Sequence, residues 1–307
     1  MRLFKEIDFI GYDCGWGSKD FRCEDGPDAT NFSKIITHLE QNGFIANYAG
    51  ALGLKDLGSH QELNTKDLTL PVLLTGLKKL INAIEYSLDN SNFPVIIGGD
   101  HSSAMGTWSA LTHRTNSCEK FGLIWLDAHM DAHTPQTADQ GKWGGHWHAM
   151  PVATLMGDGK KDLINLCVNS PKISNQHISL IGIRSYEPGE EEFLKHHNIA
   201  VYKMADIHKR GFQDIYQEAY NRATNGTNGF GLSIDIDGFD PLDAPGVGTP
   251  ENDGLRARDV LPAIQNLASD PLFKALEIVE YNPHNGNDDI TKTLIENIIY
   301  NVFGVKS

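Results

Sequence analysis

Short apolar runs alternate with amphipathic stretches along the whole chain. Several of the apolar runs are nearly continuous, which is typical of strands that a parallel sheet buries on both faces. Stretches with an apolar residue every three or four positions predict the helices between them. The predicted strands are Ile7–Tyr12, Pro94–Gly98, Phe121–Leu126, His177–Ile183, Gly229–Ile236 and Phe273–Val279, and the predicted helices are Leu70–Leu88, Phe193–Asn198 with Ile207–Ala223, Ala257–Leu267 and Asp289–Val302.

This alternation predicts an α/β fold of three layers, in which helices cover both faces of one sheet. No Ser/Gly/Pro-rich linker and no run of charges interrupts it, so we expect residues 1–307 to form a single domain. Thr134–His148 differs from the rest because it is polar, Gly-rich and without periodicity. Its place directly after a predicted strand makes it a candidate loop of a functional site.

The composition excludes several classes of protein. Asp and Glu number 40 against 26 Lys and Arg, and a net charge of −14 disfavours a nucleic-acid binder. The four cysteines form no C-x-x-C pair and do not predict a disulfide scaffold. The first residues do not resemble a signal peptide, and no apolar segment approaches the length of a bilayer span. We therefore expect a cytoplasmic protein without nucleic-acid or membrane partners.

Carboxylates and imidazoles directly follow three of the predicted strands. Because ligands bind beyond the carboxyl ends of strands in open parallel sheets, we expect these side chains to meet at one edge of the sheet. Alternate residues of an extended chain also share one side, which strengthens the expectation for the second and third runs. The residues are His101 after the first strand, Asp127, His129 and Asp131 after the second, and Asp235 and Asp237 after the third.

A cluster of this kind needs a positive partner. One Asp at a strand end is usually a turn former or a helix cap, but several that converge in a buried place would repel one another and lose hydration. The three runs contain no Lys or Arg, so bound cations are the remaining partner. A thiolate-free site of carboxylates and imidazoles favours divalent ions such as Mn²⁺, with Zn²⁺, Co²⁺ or Fe²⁺ as alternatives. Six ligands suit two metals that share carboxylates. Asp100 is offset beside a Gly-Gly turn and is not expected to be a ligand.

Three segments together resemble the signatures of the ureohydrolase family, which includes arginases, agmatinases and formimidoylglutamases. They are Gly98-Gly99-Asp100-His101-Ser102, Asp127-Ala128-His129-Met130-Asp131 and Ser233-Ile234-Asp235-Ile236-Asp237-Gly238-Phe239-Asp240-Pro241. The resemblance implies a three-layer α/β fold with a mostly parallel sheet of about eight strands and two Mn²⁺ at its edge. It implies that one ion is held by His101, Asp127, Asp131 and Asp235, and the other by Asp127, His129, Asp235 and Asp237. A hydroxide between the metals would then attack the carbon of a guanidinium or formimino group.

Further matches favour an arginase, which converts L-arginine to L-ornithine and urea. Glu280 in Glu277-Ile278-Val279-Glu280-Tyr281-Asn282-Pro283 resembles the glutamate that receives the guanidinium, and Thr249 lies in a similar Gly-Thr-Pro. His148 resembles the proton-relay histidine, with His146 as the alternative. The resemblance thus implies catalytic roles for His148, Asp131 and Glu280. Agmatinase, guanidinobutyrase and formimidoylglutamase remain alternatives, and a non-catalytic metal-binding relative is a further one.

Three departures from the arginase pattern concern substrate recognition. His133 replaces an asparagine in Asp-x-Asn-Thr-Pro, and Glu187 stands where arginases bind the α-amino group through an aspartate. The loop 136–147 is also longer than is typical. A formimidoylglutamase would need a positive group for its second carboxylate, for which Arg184 is the candidate. The resemblance also implies a small-molecule guanidinium substrate, with His133, Glu187, Thr249 and Glu280 as contacts, and a homo-trimer or homo-hexamer.

Overall fold

One sheet of eight strands runs through the protein, and every neighbouring pair of strands is parallel. The computed structural model describes residues 3–59, 66–115, 117–138, 146–167 and 171–306. The strand order is β2-β1-β3-β8-β7-β4-β5-β6. The strands are β1 Ile7–Tyr12, β2 Ala46–Ala51, β3 Phe93–Gly98, β4 Gly122–Leu126, β5 Ile178–Ile183, β6 Ala200–Lys203, β7 Phe230–Asp235 and β8 Phe273–Val279.

Helices cover both faces of this sheet. In β3, Val95 and Ile97 pack into an apolar cluster on one face and Ile96 into a second cluster on the other. The predicted three-layer α/β fold is therefore confirmed. The helices are α1 Gly26–Ala29, α2 Phe32–Gln41, α3 Lys66–Asp89, α4 Ser103–His113, α5 Pro151–Leu155, α6 Lys161–Ile164, α7 Pro188–His196, α8 Met204–Arg210, α9 Phe212–Thr224, α10 Ala257–Ala263 and α11 Asp288–Val302.

The six predicted strands lie within one residue of their observed bounds at each end. The sequence did not predict β2 and β6, which form the two edges of the sheet. Edge strands are partly exposed and so lack a continuous apolar run. Helix α4 was also missed, because it is buried on nearly all sides and has no polar face.

The sheet order brings four chain segments of chemical interest side by side. Strands β8 and β7 lie between β3 and β4, so the carboxyl ends of β3, β8, β7 and β4 are neighbours. Helix α7 begins close by, where Glu187 and Glu190 form a capping box at its first turn. Among the described residues, no helix is long and apolar enough to cross a membrane.

Candidate metal centre and pocket

The ends of β3, β4 and β7 converge on His101, as the sequence predicted. Its Nδ1 lies 3.3 Å from Asp127 Oδ2, 3.2 Å from Asp131 Oδ2 and 3.1 Å from Asp235 Oδ2. All four side chains are buried. We call these four residues the His101 group.

A second set of side chains adjoins the first. His129 Nδ1 lies 3.5 Å from Asp127 Oδ1 and 3.2 Å from Asp237 Oδ2. We call Asp127, His129 and Asp237 the His129 group. Asp127 belongs to both sets and presents a different oxygen to each. Both sets contain ligand atoms close enough together to hold one metal ion each.

The backbone that delivers these ligands differs from the prediction. The alternation argument assumed an extended chain, but β4 ends at Leu126 and β7 at Asp235. Asp131 has φ 48°, in the left-handed region, and residues Ile236–Gly238 form a 3₁₀ turn in which Asp235 Oδ1 accepts from Asp237 N at 2.8 Å. The prediction that the ligands lie on one side of an extended chain was therefore wrong. Tight turns gather the ligands instead, and a non-Gly residue with positive φ marks local strain at this site.

The carboxylates of the centre are unstable as isolated anions. Burial and the neighbouring Asp127 raise the pKa of Asp131 to about 7. Burial, with Asp237 and Asp127, raises the pKa of Asp235 well above its ordinary value. For Asp127, burial acts in the same direction, but hydrogen bonds from His101 and His129 outweigh it and lower its pKa. The site needs positive charge, which protons on the imidazoles or bound cations can supply.

One oxygen of Asp237 indicates whether protonated imidazoles or bound cations neutralise the site. Asp237 Oδ2 accepts a hydrogen bond from Thr249 Oγ1 at 2.8 Å, whereas the buried Oδ1 has no hydrogen-bond partner among the described residues. A buried carboxylate oxygen without a donor is costly unless it binds a cation. The donor set of imidazole nitrogens and carboxylate oxygens also suits Mn²⁺ or a similar divalent ion. The residues present therefore fit a metal centre.

A chain of hydrogen bonds orients His101 from behind. Glu277 Oε2 accepts from Ser233 Oγ at 2.8 Å, and its Oε1 accepts from Ser103 and Thr107. Since Ser233 gives its proton to Glu277, its oxygen accepts from His101 Nε2–H, at 3.0 Å. Nδ1 is then the nitrogen that faces the carboxylates and can bind a cation when it is deprotonated.

Trp125, which lies in β4, orients two of the proposed ligands. Its indole N–H donates to Asp127 Oδ2 at 2.8 Å, and its ring stacks on His101 with a centroid distance of 4.0 Å. Together these contacts fix the orientation of one ligand from each of two strands.

Glu280 links the centre to an adjoining pocket. It is buried directly after β8, with φ 62°, and its Oε1 accepts from His101 N at 2.9 Å and contacts His148 Nδ1 at 2.9 Å. Its burial rules out the surface salt bridge that is a common role for a glutamate. Burial lowers the pKa of His148, but Glu280 and the more distant Asp100 and Asp131 outweigh it and raise that pKa to about 9.

The pocket encloses about 430 Å³ of empty space, part of it open to solvent. The predicted substrate contacts His133, Thr249 and Glu280 line it, together with Glu190. Glu187 lies just behind, where its Oε2 is 3.1 Å from His133 Nε2. Other lining residues are His129, Asp131, His148, Ala149, Ser185, Tyr186, Asp235 and Asp237.

Of the two candidate relay histidines, His148 lines the pocket. His146 is 6.2 Å away between ring centroids and is not among the described lining residues.

The extended loop proposed for 136–147 lies partly outside the described residues, since 139–145 are not described.

The whole chain can be compared with known proteins. A model of the arginase family matches residues 5–304. The chain belongs to the arginase family. The arginase of Bacillus caldovelox is 32% identical over 303 residues, which cover 98% of this chain and 99% of that protein. The crystal structure of arginase from Bacillus subtilis subsp. subtilis str. 168 has a TM-score of 0.87 at 30% identity and covers 98% of this chain and 99% of that one.

Family membership makes this chain a metal-dependent hydrolase of linear amidines, as the three signatures predicted. The eight-stranded parallel sheet matches the expected arginase-like fold. The sequence did not predict the supporting residues Trp125, Ser233 and Glu277. Two of them stand two residues before a predicted ligand, which is a usable but weak signal.

Asp100 also has a supporting position, which agrees with leaving it out of the ligand set. Its Oδ2 accepts from Gly17 N at 2.6 Å and its Oδ1 from Ser102 N at 2.9 Å. Gly17 O in turn accepts from His148 N at 3.0 Å. Asp100 therefore ties the loop after β1, which contains Gly15 and Gly17, to the end of β3.

Proposed function

We propose that this protein is a binuclear manganese enzyme that hydrolyses L-arginine to L-ornithine and urea. The observation that carries the proposal is Glu280, a buried carboxylate that shares one pocket with the His101 and His129 groups. Similarity to arginases along nearly the whole chain supports it.

In this proposal the His101 group would hold one Mn²⁺, and the His129 group, together with Asp235, would hold the other. When bound, the ions activate a water molecule as a nucleophile at neutral pH. The residues of the chain then have to present the guanidinium carbon to that water and supply a proton to the leaving amine. Asp131 lines the pocket, so its carboxylate lies beside the point of attack.

Glu280 is the proposed receptor of the guanidinium. Its Oε1 is occupied by His101 N and His148, while among the described residues Oε2 accepts no hydrogen bond. Oε2 can therefore accept an N–H of the guanidinium, while the charge of the carboxylate pairs with that of the cation. The buried position strengthens such a pair, because little water competes for it.

His148 is the proposed proton donor to the leaving amine. It lines the pocket and is paired with Glu280, so it is adjacent to the bound guanidinium. With a pKa raised to about 9, it carries a proton at neutral pH. It can therefore protonate the amine as the carbon–nitrogen bond breaks, and water can then return a proton to it.

The outer end of the pocket would bind the amino acid portion of the substrate. Glu187 is the proposed carboxylate for the α-ammonium and His133 the proposed contact of the α-carboxylate. These two side chains face each other, with 3.1 Å between Glu187 Oε2 and His133 Nε2, so the substrate would bind to them as a pair. Thr249 holds Asp237 in place through its hydroxyl and also lines the pocket.

One alternative is disfavoured by a specific contact. A formimidoylglutamase requires a cation for its second carboxylate, but the guanidinium of Arg184 donates to six backbone carbonyls. Agmatinase and guanidinobutyrase activity, and a non-catalytic metal-binding role, remain as the outcomes that the assay must separate.

The test is a parallel assay of urea and amine release from L-arginine, agmatine, guanidinobutyrate and formiminoglutamate with added Mn²⁺. We expect the highest kcat/KM for L-arginine, with ornithine and urea formed in equal amounts. A higher kcat/KM for another compound would make that compound, and not arginine, the preferred substrate. Absence of turnover with all four compounds would reject the proposal that the protein is an enzyme of this kind. The trimer or hexamer stays a prediction, which light scattering after size exclusion can measure.

A further inference from the structure

Arg184, the first residue after β5, is committed to backbone carbonyls. The five N–H groups of its guanidinium donate hydrogen bonds of 2.8–3.2 Å to six of them, since Nη2 contacts three carbonyls and shares one N–H between two, and among the described residues Arg184 forms no ion pair with a carboxylate. Burial lowers its pKa, although an arginine stays charged at any pH of interest. The acceptors are the carbonyl oxygens of Gly182, Asp237, Gly238, Phe239, Glu251 and Asn252.

These carbonyls include the backbone of a proposed metal ligand. Arg184 Nη2 donates to Asp237 O at 2.8 Å, and its other bonds fix the two residues that follow. The bonds to Glu251 and Asn252 hold a neighbouring loop, from which Thr249 donates to Asp237 Oδ2. One guanidinium therefore restrains both the backbone of Asp237 and the loop that orients its side chain.

The backbone of Arg184 restrains the other two members of the His129 group. Arg184 N and Ser185 N both donate to Ala128 O, at 2.9 and 3.0 Å. Ala128 stands between Asp127 and His129 in the chain. The stretch from β4 that carries these two ligands is thereby attached to the same residue that holds Asp237.

The His101 group is supported by different contacts. Ser233 and Trp125 orient the His101 ring, and Glu280 accepts from the His101 backbone N–H. The residues around Arg184 do not take part in these bonds. The supporting bonds of His101 are therefore separate from those that Arg184 makes to Asp237, while Asp127, to which Trp125 donates, and Asp235 are shared by the two halves of the proposed centre.

We propose that Arg184 is a positioning residue for the His129 group, so that its loss weakens one of the two metal ions selectively. This rests on the proposed binuclear centre. Lysine cannot replace it, because an ammonium offers three donors from one atom, whereas the planar guanidinium offers five N–H groups across a wide fork. Removing a supporting residue of a metal site typically costs about 10- to 100-fold in metal affinity.

The experiment is a Mn²⁺ titration of three purified full-length proteins: wild type, Arg184→Lys and Arg222→Lys. Arg222 is the matched control, since it is also partly buried and donates to the carbonyls of Asn175 and Asn198, away from the centre. Equilibrium dialysis with mass-spectrometric metal analysis gives ions per chain, and electron paramagnetic resonance separates spin-coupled pairs from single ions. Thermal unfolding at saturating Mn²⁺ checks the fold.

We expect two ions per chain in wild type and in Arg222→Lys. In Arg184→Lys, one ion should stay at wild-type affinity and the other should bind about 10- to 100-fold more weakly. Its coupled signal and its kcat should then recover at high Mn²⁺. If Arg184→Lys does not fold, Arg184→Gln, a neutral and shorter side chain with two N–H donors, is tested in its place.

Three outcomes would overturn the inference. Two ions bound at wild-type affinities would show that Arg184 does not position the ligands. Equal weakening of both ions, or weakening in Arg222→Lys as well, would show a general loss of stability. Failure of the wild type itself to bind two ions would reject the binuclear proposal instead, so the two failures are distinguishable.

Discussion

The sharpest test of substrate binding is Glu280→Gln. The glutamine keeps the size of the side chain and an oxygen that can accept from His101 N, so the metal ligands should stay in place. What is lost is the negative charge that we propose pairs with the guanidinium. The substitution therefore separates charge pairing from the shape of the pocket.

The structure sets the size of the effect. Glu280 is 4% exposed, so its pairing with a cation is poorly screened by water. Removing one partner of a buried charge pair costs about 2–5 kcal/mol, and the remaining neutral hydrogen bond restores about 1 kcal/mol. A net loss of about 1–4 kcal/mol corresponds to a fall in kcat/KM of about 5- to 900-fold.

The pH profile gives a second, independent readout. Burial lowers the pKa of His148, and Glu280 contributes most to raising it to about 9. Without that charge the pKa of His148 must fall. If protonated His148 donates to the leaving amine, activity is lost as pH rises through its pKa. The alkaline limb of the residual activity should therefore move to lower pH in Glu280→Gln.

The assay is steady-state urea release from L-arginine across pH, with metal content measured in parallel. Glu296→Gln is the matched control, because Glu296 is also a buried glutamate but pairs with Lys34 far from the centre. Wild-type kcat/KM in Glu280→Gln with a full complement of metal would refute the role of Glu280. An unmoved alkaline limb would refute the pairing with His148 as the source of its pKa.

Other predictions concern the metals and the stability of the fold. Removal of metal by a chelator should abolish activity and added Mn²⁺ should restore most of it; full activity of the stripped protein would contradict the metal centre. Asp127→Ala and Asp235→Ala should each lose both ions, whereas His101→Asn should weaken one, and metal analysis that finds two ions in Asp235→Ala would reject its bridging role. Lys172 is buried with a pKa lowered to about 8, so between pH 8 and 10.5 the unfolded chain binds more protons than the folded one and stability should rise with pH. In Lys172→Met this contribution is absent. The Tm of wild type should therefore rise relative to the Tm of the variant as pH increases over that range. A Tm difference that does not change with pH would contradict the lowered pKa.

Much of the fold could be predicted from local pattern alone. Strands such as β3 and β4 are buried on both faces, and burial on both faces selects a continuous apolar run that is visible in the sequence. The ligands follow such runs directly, because the carboxyl ends of parallel strands form the open edge where polar residues are tolerated. His101 and Asp127 were recognisable for that reason.

The sequence did not determine how these pieces meet. Nothing local predicts that β7 and β8 lie between β3 and β4, although that order brings Glu280 beside His101. The left-handed turn at Asp131 and the 3₁₀ turn after Asp235 were also missed, since each depends on bonds made within the assembled centre.

Arg184 shows the difference most clearly. From the sequence it was a candidate for binding a substrate carboxylate, because a guanidinium suits that task. In the folded chain its donors are used by carbonyls from segments about 50 to 70 residues away. Side-chain chemistry states what a residue can bind, but only the tertiary structure decides which partners come within hydrogen-bonding distance, because those partners are distant in the chain and are selected by packing.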